Sequence, residues 1–132
     1  PSIRIDEVLS ATAPAPWHGQ IHQALFEHNA IATEVVFFHV VSETAIFTDL
    51  LQHLPRRWFQ GWRAVVARLD LMTGDVPEVP RKFRLAFRDK AATRKTVDAI
   101  LAWPAKRLVF AHGQPIATGG REAIDHAFRW LR

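Results

Sequence analysis

Two short apolar runs in this chain each stop on a residue able to bind a metal ion. In Ile46-Phe47-Thr48-Asp49-Leu50-Leu51 the run stops on the Asp49 carboxylate, and in Leu108-Val109-Phe110-Ala111-His112-Gly113 on the His112 imidazole. Neighbouring strands that finish in this way form a common frame for a hydrolytic metal site. Each residue also has a plain structural role. Asp49 suits a turn or a helix N-cap, and His112 before a glycine suits a hydrogen-bonded turn. Of the other histidines, His53 lies four residues past Asp49 and could reach the same pocket. His18 and His22 share a face only if the segment is helical, and Gly19 with the alternating text after it argues for a strand. His39 reads as a satisfied core histidine, and His126 as an exposed one.

Other chemistries find little support. With no cysteine, disulfides, thiol nucleophiles and thiolate metal sites are excluded, so any metal must use His, Asp, Glu or water. Gly119-Gly120 lacks the further glycines and the lysine of a phosphate loop, and no serine sits in a nucleophile-elbow context. Trp58 and Trp62 fall at helical spacing, which favours core anchors over base-stacking platforms.

The elements that must position these residues are readable from periodicity. Residues 3–9 read as a strand, 11–16 as a Pro/Ala connector, and Ile21–Phe26 as a second strand. Residues 34–41 form the clearest strand, apolar on both faces, and Ser42-Glu43 turns it into a hairpin partner at 44–48. Beyond Asp49 the period changes. Phe59, Trp62, Val65, Val66 and Leu69 define the buried face of a helix, with Arg63 and Arg68 outward. A Gly/Pro loop at 73–80 leads to a short helix at 81–88. Asp89 caps a helix at 91–103, ended by Pro104. A strand at 107–111 and a last helix carrying Ile124, Ala127, Phe128 and Leu131 complete the chain. The expected fold class is α/β, layered, with helices packed on a mixed sheet.

The 132 residues suffice for one domain, and 48% hydrophobic with 23% charged residues is an ordinary globular balance. No internal repeat or linker divides it, so residues 1–132 are expected to form one unit. From Arg56 to Lys95 there are 11 basic residues against 4 acidic ones. Such a region can meet phosphate, nucleic acid or an anionic membrane, but the basic residues alternate with core positions, and a solvated helical face is the expectation. No apolar run approaches the roughly 20 residues of a membrane span. No membrane partner and a cytoplasmic location are expected. The start at Pro1 reads as a segment of a longer polypeptide.

Thr33-Glu34-Val35-Val36-Phe37-Phe38-His39, then Ile46-Phe47-Thr48-Asp49-Leu50, then Ala111-His112-Gly113, resembles the C-terminal half of the metallo-β-lactamase superfamily. Phe83-Arg84-Leu85-Ala86-Phe87-Arg88-Asp89 and Ile100-Leu101-Ala102-Trp103 look like an uncharacterised bacterial branch of it. The resemblance implies half of a four-layer αββα sandwich, with Asp49 as a metal-bridging aspartate and His112 as a histidine ligand. The implied cofactor is a divalent metal, zinc first, and the implied activity is hydrolysis of an ester, amide or phosphoester. The main histidine cluster of that superfamily belongs to an N-terminal half that this chain does not contain. The chain alone is therefore expected to be inactive. Half a sandwich also leaves apolar sheet surface uncovered, so the missing half or a second copy of the chain is the expected partner. A non-catalytic binding module that keeps the fold is the alternative, followed by nucleic-acid binding through the basic region.

Overall fold

A computed structural model of the chain describes residues 3–6 and 8–132. Four strands form one mixed sheet in the order β1-β2-β3-β4: Ile21–Phe26, Glu34–His39, Thr44–Phe47 and Arg107–Phe110. The first three run antiparallel, with Gln23 opposite Phe37 and Phe37 opposite Ile46. β4 pairs parallel to β3, with Phe47 beside Phe110, so a long crossover separates them. That crossover holds α1 (Gly61–Leu69), α2 (Arg81–Ala86) and α3 (Lys90–Leu101); α4 (Gly120–Ala127) follows β4. The chain is an α+β fold with helices packed on a mixed sheet.

Side chains alternate across the sheet and give it two unlike faces. Val36, Phe38, Ala45, Phe47, Leu108 and Phe110 are buried on one face. There α3 and α4 supply Val97, Ile100, Ile124, Ala127 and Phe128. Aromatic pairs fill the layer: Phe26 stacks on Phe128 with centroids 5.7 Å apart, and Phe38 on Trp103 at 5.5 Å. Each such phenylalanine contributes about 1.5–3 kcal/mol by burial. α3 starts where expected, because the Asp89 side chain accepts from the Ala92 N–H at 2.9 Å. α4 begins at Gly120, whose Cα lies so close to β4 that a Cβ there would sit 3.0 Å from the Arg107 backbone.

The opposite face carries Leu25, Val35, Phe37 and Ile46, all only half-buried, and Val109, which is 39% exposed. Trp17 covers part of it, edge-on to Phe37 at 6.0 Å. β2 is therefore apolar on both sides, but only one side has a full layer over it.

Two expectations fail. Residues 3–6 and 8–9 form no strand, and Ile3, Ile5 and Val8 are 90, 72 and 77% exposed; Glu7 lies outside the described residues. Apolar-polar alternation specifies a strand only when a ladder partner is at hand, and this segment has none. The apolar face of α1 is not buried either. Ala67 is its one buried residue, while Trp62 is 73% and Trp58 63% exposed. Neither tryptophan is a core anchor. Close packing on the sheet comes from α3 and α4, and among the described residues α1 makes no comparable contact with any strand or helix. Among the described residues, no helix is long and apolar enough to cross a membrane.

Candidate functional site

The parallel pairing decides where the two candidate ligands go. Phe47 and Phe110 are in register, and Asp49 and His112 each lie two residues further on. Both therefore emerge side by side at the carboxyl ends of β3 and β4, the place where α/β sheets hold ligands. His112 Nε2 lies 2.8 Å from Asp49 Oδ1, and both side chains are about half exposed, at 52 and 54%. An exposed pair of this kind adds little to stability.

Two devices hold the pair in place. The first is Glu34, which opens β2 on the core-facing side and is only 5% exposed. Its carboxylate accepts the backbone N–H groups of Thr48, Asp49 and Leu50 at 2.9, 3.0 and 2.6 Å. Burial lifts the Glu34 pKa above the ordinary carboxyl value, against the lowering effect of those donors. The turn bearing Asp49 is thus tied to a buried carboxylate.

The second is a backbone clasp. His53 donates its N–H to the His112 carbonyl at 3.1 Å, and the His53 carbonyl accepts from Gln114 N at 3.1 Å. Gly113 lies between them at φ +140°, where a Cβ would come within 2.5 Å of the His53 carbonyl oxygen. No side chain fits there. Gly113→Ala is expected to cost about 1–3 kcal/mol of strain and to part the two loops. A thermal melt reads the loss, and the His112 imidazole signals in an NMR spectrum read the parting.

None of the other histidines joins the pair. His53 directs Nδ1 to the Gln114 carbonyl at 2.9 Å. His28 is exposed, and its carbonyl accepts from the Arg88 N–H on another part of the surface. His39 is half-buried and meets Ser42 Oγ at 2.8 Å through Nδ1. His22 lies on β1 with its ring stacked on Phe38, and His18 is in the loop before the strand. Among the described residues, no group of three or more His, Asp or Glu side chains is placed to hold a metal ion.

The geometry still suits part of a metal centre. An ion at this pair would be held by the Asp49 carboxylate and the His112 imidazole, donor types that zinc accepts. Two donors do not complete such a centre, which takes at least three protein ligands. Beside His112 a groove of ≈ 310 Å³ is lined by Leu54, Pro55, Trp58, Ala111 and Gln114, an apolar wall next to a polar pair.

A second buried carboxylate lies apart from this site. Glu78 binds Arg84 Nη2 at 2.6 Å and Arg129 through both of its oxygens, at 2.6 and 3.0 Å. His126 Nε2 is 3.4 Å away, so this exposed histidine has an acidic neighbour. Nothing in the periodicity marked Glu34 or Glu78. The one available signal was an acid standing directly before an apolar run, as Glu34 stands before Val35 and Val36.

No protein-family model matches the chain, and no curated protein or solved structure does so either.

Proposed function

We propose that Asp49 and His112 are two ligands of a divalent-metal hydrolase centre, zinc first, whose remaining ligands come from outside this chain. The observation that carries this reading is the 2.8 Å contact between two exposed side chains at the ends of adjacent parallel strands. Glu34 and Gly113 hold them there, although the pair adds little to the fold. When bound, such an ion supplies an activated water for cleavage of an ester, amide or phosphoester. The half-exposed face bearing Val35, Phe37, Ile46 and Val109 supports a further layer over the sheet. The missing half of a metallo-β-lactamase-like αββα sandwich, or a second copy of the chain, would supply that layer.

In the completed assembly, zinc or manganese added in excess is expected to raise the melting temperature, because an ion bound only by the folded state stabilises it by mass action. Asp49→Ala and His112→Ala should each abolish the shift. The same shift in the double variant would overturn the reading. The native mass and metal content then separate the modes of completion. A dimer or a heteromeric complex carrying zinc means a site assembled in trans, and a metal-free monomer removes the catalytic reading.

The separate placement of His28 and His53 favours a second reading, a non-catalytic module that keeps the fold and binds a partner. Metal-free native protein in a stable complex would support it.

A further inference from the structure

The outward face of α1 carries Trp62, Val65, Val66 and Leu69, exposed to 73, 59, 52 and 62%. Leu85 on α2 extends the patch, at 87%. Two grooves flank the helix and share Val66. Phe59, Trp62 and Met72 line one, and Leu69 and Leu85 line the other. The patch is thus continuous across α1 and α2, and it is larger than scattered surface hydrophobics require.

Its rim is cationic. Residues 56–69 contain Arg56, Arg57, Arg63 and Arg68 and no acid, and Arg81 and Lys82 border the second groove. Arg56 is paired with Asp75, and Lys82 lies 3.9 Å from Asp70, a residue that also borders this groove. Among the described residues, Arg57, Arg63, Arg68 and Arg81 enter no ion pair.

Charge selects the occupant. A second copy packing α1 against α1 across a two-fold axis would set this rim against itself. An anionic partner removes that repulsion. Side chains that stand proud of the surface, with tryptophans among arginines, match the headgroup layer of a bilayer better than a pocket for one peptide. Arginine stems and indole rings lie in apolar surroundings while their polar ends stay hydrated. We propose that the α1 face docks peripherally on an anionic lipid surface, its apolar side chains entering the headgroup boundary and its arginines meeting lipid phosphates. This requires neither a spanning helix nor the metal reading.

The test is co-sedimentation of the chain with phosphatidylcholine vesicles, with and without phosphatidylglycerol, at low and high salt. Binding is expected only to the anionic vesicles, falling with salt and roughly fivefold for each of Arg57, Arg63 and Arg68 changed to Gln. Trp62→Glu and Leu69→Glu should each weaken it by roughly tenfold or more, with an unchanged circular dichroism spectrum. Failure to bind the anionic vesicles would overturn the proposal, as would undiminished binding by both Glu variants. A dimer that Leu69→Glu splits, without vesicle binding, would reassign the face to contact between copies. Binding to soluble polyglutamate but not to vesicles would reassign it to an acidic protein.

Discussion

Glu34→Ala is expected to cost about 2–4 kcal/mol and to free the turn that carries Asp49. The Leu50 N–H is buried where it meets the Glu34 carboxylate, so losing that acceptor leaves a donor with nowhere to turn. The Thr48 and Asp49 N–H groups are only part-buried and can take water instead, which keeps the total below three full penalties. A urea midpoint measures the loss. An NMR spectrum of the His112 imidazole shows whether the pair survives it. Glu34→Gln should cost less, since its amide keeps one acceptor oxygen but turns an NH₂ group toward the other donors. An unchanged midpoint in Glu34→Ala would mean that the turn does not depend on this carboxylate.

The same residue gives a pH dependence with a definite sign. Burial raises the Glu34 pKa in the folded state, so the native chain keeps a proton that the unfolded chain has already released. This contribution is fully present below the ordinary carboxyl value of 4.5 and is lost as pH rises through the raised native value. Glu34→Gln should remove that component from a plot of stability against pH. An identical slope in wild type and variant would assign the dependence to another group.

Glu78→Ala is the second large loss, at about 3–5 kcal/mol. The Arg84 side chain is only 17% exposed, and burial already pulls its pKa below the ordinary value, with Glu78 opposing the effect. Removing the carboxylate leaves that cation buried and unpaired, and it also releases Arg129. Since whole domains are stable by about 5–15 kcal/mol, the variant should melt on the order of 10 °C lower. Glu78→Ala combined with Arg84→Met should recover part of the loss, because an apolar pair does not strand a charge. A double variant no better than the single one would place the cost at Arg129 instead.

Particular residues show what the sequence made legible. Asp49 and His112 could be read as strand-end residues because short apolar runs lead into both. That they touch depends on the parallel register of β3 and β4, which no local pattern contains. The helix at 61–69 was legible from its period, but its direction was not. Periodicity shows that a helix has one apolar face and leaves open whether anything covers it. Residues 3–6 and 8–9 follow the same logic, since alternation describes a strand that still needs a neighbour. Glu34 escaped notice because its three backbone partners lie 14–16 residues away in the chain.

The parallel pairing has a kinetic consequence. Asp49 and His112 are 63 positions apart, and the crossover between them holds three helices. Closing a loop of that length is entropically slow compared with forming the β1–β2–β3 hairpins, which are local. The Asp49–His112 contact should therefore be among the last to form. An ion that bridges the two residues would act as a reversible cross-link across the longest loop of the sheet. It would slow unfolding far more than it speeds folding.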